Sequence, residues 1–168
     1  MRTSVVAFCL CVGLASIAPA QDSLYVRRVG TWGAVELLDV AVMGKYAYVA
    51  GLSGGGQGLY VISVADPAHP VEVAFCSTEA TPRAVAVSGE YVYLANDTAG
   101  LRVISVSDPT QPVEVGRCST RAAYFVAVSG DYAYVTSDSG LSVISIADPS
   151  HPAEIGYCRS PGGLACLV

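Results

Sequence analysis

Lysine is almost missing from this chain: of nine Lys and Arg in 168 residues only Lys45 is a lysine, and fourteen Asp and Glu outnumber them. The resulting net charge of -5 excludes nucleic-acid recognition through a basic face. Charge of either sign is scarce, at 14% of residues against 52% hydrophobic, which is the reverse of a disordered tail. Beyond residue 20 no apolar run is long enough to cross a bilayer as a helix, and no segment has helical periodicity. What is present instead is glycine, proline and tyrosine, 17, 9 and 10 of them, the punctuation and filling of a chain of short strands.

The first twenty residues stand apart. Arg2 precedes an apolar stretch from Val5 to Ile17, and Ala18-Pro19-Ala20 supplies the small residues of a cleavage site. Residues 1–20 therefore read as a secretory signal peptide, with a buried N-terminal helix or an uncleaved anchor as the alternatives. Cys9 and Cys11 fall inside it without the pattern of a lipid-attachment site. Export leaves residues 21–168 outside the cytoplasm, in the extracellular space, at the cell surface or in the periplasm. Four cysteines remain there, Cys76, Cys118, Cys158 and Cys166, an even number that invites a disulfide reading.

Compared with itself, the chain shows one unit written three times. Gly44-Lys45-Tyr46-Ala47-Tyr48-Val49-Ala50 returns as Gly89 to Ala95 and as Gly130 to Thr136. Gly58 to Pro67 returns from Gly100 to Pro109 and from Gly140 to Pro149. The pairs Asp66-Pro67, Asp108-Pro109 and Asp148-Pro149 are 42 and 40 residues apart, and so are Cys76, Cys118 and Cys158.

Each unit reads as four strands. The first (Leu38 to Met43, Val85 to Ser88, Val126 to Ser129) ends at Gly44, Gly89 or Gly130, where a tight hairpin demands positive φ. Alternation in the second places Tyr46 with Tyr48, Tyr91 with Tyr93, and Tyr132 with Tyr134 on one face, and the small apolar residues on the other. The third (Leu59 to Val64, Leu101 to Val106, Leu141 to Ile146) is a nearly continuous apolar run, as a strand covered on both faces requires. Asp-Pro ends it, and a second proline, Pro70, Pro112 or Pro152, opens the fourth. The domain is all-β, and its period fits antiparallel propeller blades at 37–78, 84–120 and 125–160, with an open sandwich as the alternative. Residues 24–30 read as the fourth strand of a preceding blade and 163–168 as the first strand of a next one, about three and a half blades and an incomplete ring.

These stretches resemble the LVIVD-repeat family, whose units carry a Gly-x-Tyr-Ala-Tyr-Val-Ala segment followed by Gly-Leu-x-Val-Ile-Asp-Val-Ser-Asp-Pro. The YVTN-type surface propellers have a related pattern. Ser63, Ser105 and Ser145 stand where the family usually has Asp, and Cys76, Cys118 and Cys158 where an aromatic is frequent. The resemblance implies a bacterial or archaeal extracellular or cell-surface β-propeller without shared catalytic residues.

Each signal of chemistry in the chain also has a plainer reading. Gly51-Leu52-Ser53-Gly54-Gly55 has the form of a nucleophile elbow, but it falls in a strand-to-strand loop rather than before a helix. His69 and His151 hold equivalent turn positions, which explains them without a metal. Cys76, Cys118 and Cys158 sit one blade apart, beyond disulfide reach, and read as semi-buried thiols; only Cys158 with Cys166 is a bridge worth testing. Asn96-Asp97-Thr98 is a glycosylation sequon in form and a turn by composition. The tyrosine pairs can stack on a sugar or pack between blades, and packing is the simpler reading. Recognition is better sought where the units differ, at Tyr60, Arg102 and Ser142, or at Arg83, Arg121 and Pro161, with Tyr60, Arg83, Arg102 and Arg121 as the candidate binding rim.

The expected function is that of an exported, non-catalytic module that contacts a protein or glycan ligand, with no cofactor and no metal. The alternative is a fragment of a larger propeller protein or enzyme whose catalytic residues lie outside this chain. Self-association through incomplete blades is a third expectation.

Overall fold

The fold is that of a computed structural model, which describes residues 36–53 and 56–160. The signal segment, the strand expected at 24–30 and the one expected at 163–168 lie outside the described residues. Twelve strands follow one another without a helix among the described residues: β1 (Glu36–Met43), β2 (Tyr46–Ser53), β3 (Gly56–Ser63), β4 (Val71–Ser77), β5 (Ala84–Ser88), β6 (Tyr91–Ala95), β7 (Leu101–Ser105), β8 (Val113–Cys118), β9 (Phe125–Ser129), β10 (Tyr132–Ser137), β11 (Gly140–Ser145) and β12 (Ala153–Arg159). They form three antiparallel sheets, each a meander of four consecutive strands. The first and second strands of each unit are joined by a two-residue turn whose glycine has a φ near +60°, at Gly44, Gly89 and Gly130. Space around these glycines is open, so the turn conformation and not crowding selects them.

The sheets face one another in sequence order, and between neighbours the first strands come closest, β1 against β5 and β5 against β9. The blades therefore fan out from a common inner edge, the arrangement of consecutive propeller blades. One stitch at that edge is polar: the backbone N–H of Val85 donates to Asp39 Oδ2 at 2.8 Å.

Alternation gives each blade two distinct faces. Tyr48, Ala50, Leu59 and Val61 of the first blade pack against Val92, Leu94 and Ile104 of the second. Tyr93, Ala95, Leu101 and Val103 of the second pack in the same way against Ala133, Val135 and Ile144 of the third. The tyrosine face of a blade thus always meets the small-residue face of the next. Tyr48 and Tyr93 are only 1% and 3% exposed, and burying such a side chain contributes about 2 kcal/mol. The same face of the third blade leaves Phe125 67% and Tyr132 43% exposed.

Each fourth strand carries a bulge. Ile62, Ile104 and Ile144 pair with Glu72, Glu114 and Glu154, while the residues before them pair with Ala74, Gly116 and Gly156, so Val73, Val115 and Ile155 are extra. An extra residue reverses the alternation beyond it. Val73 and Val115 consequently turn toward the next blade, and the glutamates turn toward the preceding one.

Candidate functional site

The repeats differ sharply at one cross-strand pair, on the face that in the second and third blades meets the preceding blade. In the first blade Tyr60 lies opposite Phe75, in the second Arg102 opposite Arg117, and in the third Ser142 opposite Tyr157. In each case the bulge places the fourth-strand glutamate on that same face. The three pairs have three different surroundings.

Tyr60 and Phe75 pack ring against ring, with centroids 4.6 Å apart and planes at 38°, and the Tyr60 hydroxyl donates to the Gly56 carbonyl at 3.3 Å. This is an apolar cross-strand pair and needs no ligand.

Arg102 and Arg117 would repel one another across the strands if unaccompanied. Two carboxylates prevent it: Arg102 Nη1 donates to Glu114 Oε1 at 2.7 Å and Nη2 to Glu79 Oε2 at 2.6 Å, while Arg117 approaches Glu79 at 3.9 Å. Burial opposes the charge of Arg102, which is 3% exposed, but the hydrogen bonds and charges of Glu114 and Glu79 outweigh that and leave its pKa above the ordinary value. Arg102 Nε and both side-chain polar atoms of Asn96 are buried without a protein partner.

In the third blade the same position opens. A cleft of about 360 Å³ is lined by Ser119, Thr120, Arg121, Ser142, Glu154 and Tyr157. Arg121 stands three residues past Cys118, where Glu79 stands three past Cys76. Its guanidinium lies over the Tyr157 ring, 4.9 Å from the centroid. Tyr157 is held in place by its hydroxyl, which donates to the Ser139 carbonyl at 2.5 Å. Neither Arg121 nor Glu154 has an ion-pair partner among the described residues. A carboxylate, a guanidinium, a phenol and three hydroxyls thus converge on one open space, a set that can hold a ligand bearing both charges.

The other sequence expectations fall as follows. Of the four rim candidates, Tyr60 is buried beside Phe75 on the first blade and Arg102 is buried between the first two blades, so neither offers an open rim. Arg83 is exposed but tied to Asp97 at 2.7 Å and lies over the Tyr124 ring. It is not the counterpart of Arg121, since it stands seven residues past Cys76 whereas Arg121 stands three past Cys118. Pro161 lies outside the described residues. The three cysteines form no disulfide with one another, and they are graded rather than uniformly semi-buried. Cys118 lies under the third blade and Cys76 is half-buried, and burial pushes both thiols up; Cys158, on the uncovered face, is exposed. Cys166 lies outside the described residues, and so does any bridge to it.

Leu52 and Ser53 lie within β2 and Gly56 opens β3, so the expected loop is shorter than the motif, and Ser53 ends a strand rather than a strand-to-helix turn. Asn96 does begin a turn, accepting from the Ala99 N–H, but its side chain is fully buried and therefore closed to glycosylation in the folded protein. His69 and His151 each bond the aspartate of their own Asp-Pro turn, at 2.7 and 3.0 Å. Asp66 is held below its usual range mainly by His69, and Asp108 by Thr110. Asp148 is brought down to about 2 by the Ser150 hydroxyl first and His151 second.

Three consecutive matches to the model of the LVIVD repeat cover residues 37–78, 82–120 and 121–160. The chain belongs to the LVIVD-repeat family. No curated protein matches it. Its LVIVD repeats coincide with the three sheets, and the residues that recur in each are the ones that build the blade: the hairpin glycines, the tyrosine pairs and the Asp-Pro turns. The cleft combines residues that recur, Glu154 with Ser119 and Thr120, which repeat Ser77 and Thr78, with three that do not, Arg121, Ser142 and Tyr157. Sequence reasoning singled out Arg121 and Ser142 but missed Glu79, Glu114, Glu154 and Tyr157. The signal was there in the Val-Glu or Ala-Glu that follows each second proline, but only the bulge shows which way the glutamate faces.

Proposed function

We propose that the chain is an exported, non-catalytic LVIVD-type propeller module that holds a protein or glycan ligand at the cell surface or outside the cell. The observation that supports this is the contrast within one position: Tyr60 and Arg102 are consumed by internal packing and ion pairing, while Ser142 leaves a cleft edged by unpaired Arg121 and Glu154. Repeat scaffolds present recognition where the frame is fixed and the decoration varies. Residues 1–20 support export.

The test has two parts. Mass spectrometry of the protein from an exporting bacterial host is expected to find a mature N-terminus at Gln21. The mature chain, applied to peptide and glycan arrays, is expected to retain ligands, and to lose them when cleft residues are replaced. An intact N-terminus in the cytoplasm overturns export, and arrays without any retained ligand overturn the binding role.

The uncovered tyrosine face of the third blade favours a second reading, in which these blades belong to a larger ring within a propeller protein or enzyme, or are completed by a second copy. Light scattering at increasing concentration distinguishes them: a dimer supports completion by a copy, and a well-folded monomer counts against it.

A further inference from the structure

The second blade contains an internal example of what the cleft of the third can bind. There a guanidinium, that of Arg102, lies between the blades and is gripped by the fourth-strand carboxylate, Glu114, and by the linker residue Glu79. The third blade keeps the framework of that arrangement. Glu154 pairs with Ile144 as Glu114 pairs with Ile104, and the same bulge turns both toward the preceding blade. The surroundings of the two glutamates also repeat, since Glu114 acts on the Cys76 thiol and Glu154 on that of Cys118. Two things change. The arginine has become Ser142, which vacates the space, and the linker carboxylate has become Arg121, which reverses the charge at one wall.

We propose that this cleft takes an arginine side chain of a partner polypeptide onto Glu154, in the place Arg102 fills against Glu114, while a carboxylate next to that arginine meets Arg121. The assignment rests on the reading that the variable inter-blade position is a recognition site, and it names the ligand's chemistry. Size agrees: about 360 Å³ lies near the lower end of ligand cavities, room for one long side chain and its neighbour. Charge agrees as well. Guanidinium and carboxylate fit each other bidentately, and Tyr157 holds Arg121 from one side. Ser119, Thr120 and Ser142 can accept from or donate to the peptide groups between the two charges.

The experiment uses the mature chain and the dipeptide acetyl-Arg-Glu-amide, followed by NMR shift titration or calorimetry. Two contacts of this size predict a dissociation constant on the order of a millimolar. Acetyl-citrulline-Glu-amide is expected to bind about tenfold more weakly or worse, and acetyl-Arg-Gln-amide several-fold more weakly, each losing one charge-assisted pair. Glu154→Gln abolishes binding. Ser142→Arg also abolishes it, because the chain then carries its own occupant, and the melting temperature of that variant does not fall; Glu154→Gln, at an exposed position, keeps the test intact if Ser142→Arg folds poorly. Equal binding of the citrulline peptide, or binding undiminished in Glu154→Gln, overturns the proposal. A neutral oligosaccharide such as maltotriose that shifts the cleft resonances where the peptide does not also overturns it, in favour of a glycan site. If the dipeptide fails but array ligands are retained equally by the parent chain and Ser142→Arg, this assignment falls and the module reading stands. If nothing is retained by either, both fall.

Discussion

The two interfaces between the three blades are built to one plan and finished differently. Both bury a tyrosine, Tyr48 or Tyr93, against the small residues of the next blade. The first is then closed by polar groups: Asp39 takes the Val85 N–H at the inner edge, and Arg102 with Glu79 and Glu114 fills the outer part. At the second, Ala84 stands where Asp39 would be and Ser142 where Arg102 would be, and a cleft remains. Duplicated apolar packing fixes how blades stack, whereas the polar residues at their margins determine whether a seam is sealed or left to receive something.

The comparison can be broken most forcefully in the shared part. Tyr48→Ala is expected to destabilise the domain by about 4 kcal/mol in urea unfolding, because a buried aromatic is lost and a cavity remains. Tyr132→Ala, on the uncovered face, should cost less than about 1 kcal/mol. Similar values for the two would mean that the third blade's face is covered in solution. The sealing groups come next. Glu114→Ala should cost about 2 to 3 kcal/mol, since it removes the better-buried partner of Arg102 and leaves that charge to the exposed Glu79. Glu154→Ala should change stability by no more than about 0.5 kcal/mol, as it has no cation to abandon. Thiol labelling is a gentler probe. In the native protein Cys158 should react first with a maleimide, Cys76 next and Cys118 last, with rates for Cys158 and Cys118 separated by on the order of tenfold or more. Equal rates would show that the second seam opens as a whole.

The smallest effect lies in acid. The turn containing Asp148 and Pro149 abuts β8, where a Cβ on Gly116 would run into the Pro149 carbonyl oxygen. Asp148 has its folded pKa lowered from 3.8 to about 2, so its contribution is complete above the ordinary value and is lost as the pH falls toward 2. The urea midpoint of the parent chain should therefore drop more steeply between about pH 4 and pH 2 than that of Asp148→Asn. Parallel curves would separate this turn from the stability of the second interface.

The period, the strands, the hairpin glycines and the facing of the tyrosines could be read from the chain, because each is a local rule of spacing and alternation. Tyr60 and Arg102 belong to the continuous third-strand run that already reads as an inner strand, so variability alone is a poor guide to exposure there, and both are buried. The cleft was out of reach for a different reason. It needs Arg121 from a linker and Ser142, Glu154 and Tyr157 from the following sheet, and it needs the bulge at Ile155 to swing Glu154 round. A bulge of that kind has no composition of its own, since Val73, Val115 and Ile155 look like any other strand residue. Arg83 and Arg121 both sit in linkers, yet seven residues past Cys76 and three past Cys118, so counting from the repeated cysteine already separates them.

That bulge also bears on how such chains diversify. By directing each fourth-strand glutamate backward, it divides both described seams between two repeats, with the end of one copy and the linker after it on one side and the carboxylate of the next copy on the other. A repeat moved elsewhere by recombination would bring half of one seam and half of another. The heritable unit of recognition in this molecule is therefore the joint between two repeats, and new specificities should arise when unlike neighbours are brought together as readily as when a single repeat mutates.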